Sequence, residues 1–339
     1  MKEETLAAIR IAMASGISPR QAKALHGRLG SFASVIGVVP RVIQEVLGCS
    51  SAAASTLVRD FKSVSVSRIL KEATRHKHVP ICFGERGYSP LLAGITDPPV
   101  VLWAWGDQSL LLRPTIAVVG ARRCSVEAPG LVARLVEECV EYGWTIVSGG
   151  ARGVDAAAHR EAMRRDSPTI VVLGSGIGRP YPPEHRRLFS EVVDHGGLLL
   201  SEYPFDRDPR PGQFPARNRI VAGLSIGVVM IEAGPRSGAL ITGRLAGEDY
   251  GREVMAMPGR VLGGGSAGCH RAIREGWAAL VDEPGQVLEQ VREARGLLKI
   301  LHEAVKNRMK IKDFVEVADE RSRDVMTSSA QGSQKSPRP

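Results

Sequence analysis

Two stretches decide the fold: Thr115-Ile116-Ala117-Val118-Val119-Gly120-Ala121-Arg122-Arg123 and Thr145-Ile146-Val147-Ser148-Gly149-Gly150-Ala151-Arg152-Gly153-Val154-Asp155-Ala156-Ala157-Ala158-His159. Each opens on a β-branched, apolar run and breaks at glycine, after which a helix-forming stretch follows. A short run that is apolar throughout reads as a strand covered on both faces, and a helix has to carry the chain back before the next parallel strand can begin. The pattern recurs at Thr169–Leu173, Leu198–Leu200, Ile226–Ile231, Glu253–Met257 and Ala278–Val281. Helices are expected near 126–142, 154–165, 184–195, 215–222, 239–250 and 269–276. Seven strands alternating with helices predict an α/β protein whose core, residues 80–283, is an extended Rossmann-like, doubly wound, mostly parallel sheet.

Upstream of that core, residues 1–75 read as a small helical domain with helices at 6–11, 22–29, 42–47 and 52–61, punctuated by Gly16, Ser18-Pro19, Gly30 and Gly48. The turns at Gly16-Ile17-Ser18 and Gly48-Cys49-Ser50 resemble those of helix-hairpin-helix modules. Residues 80–114, rich in Pro and Gly with Trp103 and Trp105, are expected to form a strand-and-loop segment against the core. Downstream, 284–318 is expected to be a helical extension, with a basic amphipathic helix over 287–306 and an ambiguous element over 309–317. The Ser-, Gln- and Pro-rich end, 319–339, is expected to be disordered.

The chain's 339 residues allow two or three domains, and 43% hydrophobic with 24% charged residues is an ordinary globular composition. Five scattered cysteines with no Cys-x-x-Cys support neither a disulfide framework nor a zinc site. No apolar run reaches 18 residues and Met1 to Arg10 lacks a signal-like apolar segment, so a cytoplasmic protein without a membrane partner is expected. The net charge of +9 is uneven: residues 1–114 carry 14 basic and 8 acidic groups, whereas 115–283 carry 20 of each. All 20 cations of that middle region are arginine, the side chain best suited to bidentate phosphate contacts.

In an open parallel sheet, ligands bind beyond the carboxyl ends of the strands. The residues there are Gly120, Ala121, Arg122 and Arg123; Ser148, Gly149, Gly150 and Arg152; Gly174, Ser175 and Gly176; Phe214, Arg217, Asn218 and Arg219; and Arg236, Ser237 and Gly238. Glycine admits an anion close to the backbone, helix N-termini turn free N–H groups toward it, and arginine neutralises it. Glycine at a strand end is common for turn geometry alone, but arginine in four such loops implies a phosphate site. Asp155, His159, Glu202 and Glu232 read as groups that order neighbouring arginines, amides or packing rather than as catalysts. Neither G-x-G-x-x-G after the first strand nor a P-loop is present, so no nucleotide cofactor and no metal are expected.

Val119-Gly120-Ala121-Arg122, the 147–159 segment, Phe214-Pro215-Ala216-Arg217-Asn218-Arg219-Ile220 and Arg236-Ser237-Gly238-Ala239-Leu240-Ile241-Thr242, in this order, resemble the bacterial DNA-processing protein A (DprA/Smf) family from about Tyr88 to Gly276. The resemblance implies a non-enzymatic single-stranded DNA-binding protein that dimerises, protects incoming DNA and loads the recombinase RecA in natural transformation. It places the family's Gly-Ser-Arg loop on Gly120-Ala121-Arg122, with alanine for serine. Of the family's two further basic positions, one neighbourhood here holds Pro168 and the other Arg186 and Arg187, which shifts the expected phosphate track toward Arg164, Arg165 and Arg186. The helical N-terminal segment matches the family's sterile-alpha-motif-like module loosely, and the 56 residues after Glu283 are short and degenerate for the family's winged helix. Phe214 or Tyr181 is the expected base-packing ring, and Ile273 with Trp277 the expected apolar dimer surface.

Two rivals remain at this point. One is a phosphoribohydrolase-like nucleotide-processing enzyme of the same superfamily, whose Pro-Gly-Gly-x-Gly-Thr-x-x-Glu loop would fall at Ala233–Thr242; the match fails there on the glycine pattern and on the terminal glutamate. The other is a partner-binding scaffold that merely holds a structural anion.

Overall fold

A computed structural model describes residues 2–262 and 264–293. The expected elements beyond 293, including most of the 287–306 helix, the 309–317 element and the 319–339 tail, lie outside the described residues.

Nine strands form one sheet: β1 (Val79–Cys82), β2 (Val101–Gly106), β3 (Thr115–Gly120), β4 (Thr145–Ser148), β5 (Thr169–Leu173), β6 (Leu198–Ser201), β7 (Gly227–Ile231), β8 (Glu253–Ala256) and β9 (Ala279–Leu280). Their order is β1-β2-β6-β5-β4-β3-β7-β8-β9. All seven strands expected from 115 onward are present and pair in parallel. The 80–114 segment supplies two more: β1 pairs antiparallel with β2, and β2 antiparallel with β6, with Trp103 opposite Ser201. The chain therefore winds outward from β3 through β4, β5 and β6, then crosses to β7 and winds the other way. This reversal makes β3/β7 the topological switch point, where adjacent connections diverge to opposite faces and leave a crevice.

Every residue of β5 and β7 is buried, as expected of strands covered on both faces. One covering layer holds α8 (Ala128–Glu141), α9 (Val154–Arg164) and α14 (Pro284–Glu293), which bury Val132, Leu135, Val136 and Val287 against β3, β7 and β8. The other face carries α11 (Gln213–Leu224) and α12 (Gly238–Arg244), the latter continuing as a π-helical turn over Leu245–Asp249. The remaining crossovers are α10 (Arg186–Asp194) and α13 (Ala267–Arg274), and a short α7 (Pro90–Ala93) lies under α11.

Residues 3–75 form six helices: α1 (Glu3–Met13), α2 (Pro19–Leu29), α3 (Phe32–Gly37), α4 (Pro40–Leu47), α5 (Ser51–Ser63) and α6 (Val66–Arg75). Ile9, Leu25, Phe32, Ile43 and Phe61 form their fully buried centre, continuous with the core through Phe83 and Tyr88. At the two turns that resemble helix-hairpin-helix modules, Gly16 and Gly48 take positive φ, and Ser18 and Ser50 cap the helices that follow. The capping hydroxyls already hold the N–H groups of Gln21 and Ala53.

Candidate nucleic-acid interface

A cavity of about 610 Å³ opens at the β3/β7 switch point. Gly120, Ala121, Arg122 and Arg123 follow β3 on one side, and Gly234, Pro235, Arg236, Ser237 and Gly238 follow β7 on the other. The floor is Gly149, Asp155 and Arg217, and α11 closes the back with Phe214, Asn218 and Val221. The Arg122, Arg123 and Arg236 side chains are exposed and carry no ion pair among the described residues. Three uncompensated cations thus face one cavity, an arrangement that repels itself unless an anion is shared between them.

Arg217 is a different kind of arginine. Only 5% of it is exposed, and its guanidinium donates to the carbonyls of Gly149 and Val172 from beneath the cavity. Burial pushes its pKa down to about 10, with the Asp155 carboxylate opposing that shift and the Arg122 charge adding to it. Asp155, in the first turn of α9, is itself raised by burial, while Arg217 and the Ala151 amide that it accepts from (3.2 Å) hold it down. Gly149 is required here: a Cβ at that position would meet the guanidinium carbons and nitrogens of Arg217. Arg217 is thus held by backbone carbonyls and the Asp155 charge, while Glu202 pairs with Arg219 and Glu232 holds Ser125.

The loop carrying Arg122 and Arg123 is anchored through Ser125, whose amide donates to Glu232 at 2.7 Å and whose hydroxyl also bonds that carboxylate. The same hydroxyl accepts from the Ala128 amide at the start of α8. Glu232 sits at φ 52°, in the left-handed region that a non-glycine residue rarely holds without support from its surroundings. Asn218 donates to the Gly238 carbonyl at 3.3 Å and so ties α11 to the loop of Arg236, while Ser237 caps α12.

Beside the cavity, Tyr181 and Phe214 stand with ring centroids 5.3 Å apart, and the Arg152 guanidinium lies 5.9 Å from the Tyr181 centroid. Arg122, Gly149 and Arg217 border both this aromatic recess and the main cavity. Arg152 is half exposed and pairs with Glu184, so it contributes less free charge than its neighbours.

Other residues expected at the site lie apart from the cavity. Ser148 Oγ donates to the Val118 carbonyl and Ser175 Oγ to the Arg179 carbonyl, so neither hydroxyl reaches the cavity. Gly150 packs under Phe189, Gly174 under the Phe214 ring, and Gly176 against the backbone of Pro204 and Phe205. Arg186 is exposed on the first turn of α10, off the lining. Arg219 is the clearest correction: two residues from Arg217 on one helix, it points to another face and is buried between Asp97 (3.2 Å) and Glu202. It lines a separate cleft between the core and α1–α2. Arg164 and Arg165 also leave the expected track, because α9 runs away from the rim and puts its C-terminus at the opposite sheet edge. There they pair with Glu161 and Glu137.

His159 is fully buried, with Nδ1 2.9 Å from Thr169 Oγ1. That hydroxyl donates to the Ile146 carbonyl, so the ring must donate through Nδ1 and leave Nε2 without a partner. Burial lowers its pKa to about 3, consistent with a neutral packed group. Ile273 and Trp277 are half buried, with Arg244 over the indole at 4.7 Å. Sequence reasoning missed Ile241 and Thr242 as lining residues; their helical spacing from Gly238 puts them one turn on, facing the same cavity.

No group of three or more His, Cys, Asp or Glu side chains placed to hold a metal occurs among the described residues, and no described helix is long and apolar enough to cross a membrane. The family model described as DNA recombination-mediator protein A matches residues 80–292. Protein Smf of Escherichia coli strain K12 is 40% identical over 231 residues, which are 68% of this chain and 61% of that protein, so the match spans less than two thirds of this relative. The X-ray structure of DNA processing protein A from Streptococcus pneumoniae superimposes with a TM-score of 0.73 at 35% identity, covering 84% of this chain and 97% of that one. DNA processing protein A of Helicobacter pylori, whose structure concerns its single-stranded DNA binding mode, gives a TM-score of 0.56 at 28% identity over 64% of this chain and 97% of that one. Together with the doubly wound sheet and its glycine- and arginine-bearing rim, these matches show that the chain belongs to the DNA recombination-mediator protein A family.

Proposed function

We propose that this protein binds single-stranded DNA by its phosphate backbone at the β3/β7 crevice, protects it, and delivers it to RecA during recombination, including natural transformation. On this reading it acts in the cytoplasm, as a homodimer and without catalysis. The observation that carries the proposal is the convergence of Arg122, Arg123 and Arg236, all unpaired, on one cavity beside the Tyr181–Phe214 aromatic recess. Phosphates neutralise the arginines, and an unstacked base can lie against an aromatic face, a combination open to single strands and closed to a stacked duplex. Among the described residues the rim consists of loops and helix ends, with no helix presented lengthwise for a major groove. Family membership and the single-stranded DNA binding mode of the Helicobacter pylori relative support the same substrate. Dimerisation and the RecA contact rest on the family resemblance.

The loop after β7 reads Gly234-Pro235-Arg236-Ser237-Gly238, with Thr242 at the end of the segment that the phosphoribohydrolase motif would occupy. It offers a nucleoside monophosphate no carboxylate, and we assign no hydrolase activity. Competition between single-stranded and duplex DNA of equal length tests the proposal. Strong preference for the single strand is the expected result, and equal affinity overturns it. Release of free base from a nucleoside monophosphate would overturn the non-catalytic reading.

A further inference from the structure

We propose that the solvent face of α6 is a second phosphate-binding surface, which continues the single-stranded DNA path from the crevice onto the N-terminal domain. The inference rests on the reading of the crevice as the primary DNA site. Residues 1–77 hold 12 basic and 5 acidic groups, a net +7 of the chain's +9, whereas the sheet-bearing middle is neutral. Of that domain's acids, Glu4 is spent on the amides that open α3, Glu45 on Arg41 and Glu72 on His76. Among its cations, Arg10 caps the end of α5 and Arg41 is paired. Of the other cations, Arg68, Lys71, Arg75 and Lys77 lie together on α6 and its exit.

On α6, Val66 and Ala73 are buried, with Ile69 and Leu70 half buried beside them, and they define the packed face. At 100° per residue, Arg68, Lys71 and Arg75 fall together on the opposite pole, and all three are exposed with no ion pair among the described residues. Lys77 follows at φ 57° where the helix ends. Ordinary helix stabilisation does not explain the stripe. A cation suits the last turn, which accounts for Arg75, but Arg68 lies in the first turn, where the helix dipole disfavours it. Spacings of three and four residues also put the like charges side by side, where they repel. A polyanion laid along the stripe would reverse that cost.

The stripe begins where the rim of the sheet ends. His76 stacks on Phe205 at 3.9 Å and 13°, and the Phe205 carbonyl accepts from the Gly178 amide in the loop after β5. The C-terminus of α6 therefore abuts the carboxyl ends of β5 and β6. From β3 to β6 is three strand spacings, roughly 14 Å. On the loops after β4 and β5, which lie between β3 and β6, Arg152 is paired with Glu184 and Arg179 with Asp208 at 3.8 Å, so unpaired positive charge falls off there and resumes on α6. An oligonucleotide of about three residues held in the crevice is too short to continue onto α6, whereas a longer one crosses to it.

The test compares oligothymidylates of about 3 and about 20 nucleotides, below and above common site sizes, across salt. In the wild-type protein the dependence of log K on log salt should steepen with length. In Arg68→Gln/Lys71→Gln/Arg75→Gln it should steepen less, with the long-oligomer slope shallower by up to about 2.1, or about 0.7 per lost phosphate contact. Over a fourfold rise in salt that is a difference of about 18-fold in how much affinity is lost. The charge-keeping variant Arg68→Lys/Lys71→Arg/Arg75→Lys should retain the wild-type slope, which separates charge from helix damage. A glutamine variant that keeps the wild-type slope on the long oligomer overturns the proposal. Failure of the crevice reading has a different signature: Arg122→Ala would then be silent at both lengths.

Discussion

Replacing Arg217 by alanine should damage the fold before it damages binding. The guanidinium occupies the space left by the missing Cβ of Gly149, donates to two buried carbonyls and faces the buried Asp155 carboxylate. Alanine would strand all three acceptors at once. Each buried acceptor left unsatisfied costs about 1–3 kcal/mol, and Asp155 loses the nearby charge that opposes its desolvation. Asp155 would respond by binding a proton, since burial already raises its pKa and Arg217 is what opposes that shift. The loss should therefore be larger near neutral pH than in mild acid. Urea denaturation of wild type and Arg217→Ala at two pH values measures both effects. The midpoint should drop with little change in the slope m, and the gap between the proteins should narrow as pH falls. Wild-type stability in Arg217→Ala, with reduced DNA affinity alone, would refute the assignment of Arg217 as a brace and return it to the phosphate-contacting arginines.

Two further outcomes follow from the same geometry. Tyr181 is largely free of core contacts, so Tyr181→Ala should keep the wild-type melting temperature but weaken oligothymidylate binding by about 1–3 kcal/mol, with an unaltered salt slope, as expected for a lost base stack; fluorescence anisotropy reads this directly. His159 binds its proton in the unfolded chain near pH 6.5 but in the folded protein only near 3, so the unfolded state holds more protons between those values and stability rises with pH there. Unfolding free energy should fall as pH drops below about 6.5, by about 1.4 kcal/mol per unit for this group, and the melting temperature should fall with it. His159→Gln should flatten the profile relative to wild type, Asp155 being common to both.

The strands were legible because each is a short apolar run, Val- and Ile-rich in the centre of the sheet, that breaks at glycine or a polar residue, and all seven appear within a residue or two of their expected bounds. The antiparallel attachment of β2 to β6 was not legible, since nothing local in 101–106 specifies a partner almost a hundred residues away. Helices α3 and α6 were also missed. The first has six residues, and the second alternates cations with its apolar face. At the rim, the rule that strand carboxyl ends carry the site found Arg122, Arg123 and Arg236. It could not divide Arg217 from Arg219: two positions on a helix differ by about 200°, and only the packing of α11 decides which of them looks into the cavity. Arg164 and Arg165 failed for a related reason, because a crossover helix that starts at the rim has to finish at the other edge.

The most direct test of the account is the affinity of wild type and Arg122→Ala for oligothymidylate between about 50 and 200 mM salt. Arg122 is exposed and unpaired, so its removal leaves the fold intact and takes away one phosphate contact. The account predicts a salt slope shallower by about 0.7 and weaker binding on every sequence alike. A folded Arg122→Ala protein with wild-type affinity and wild-type slope would contradict it.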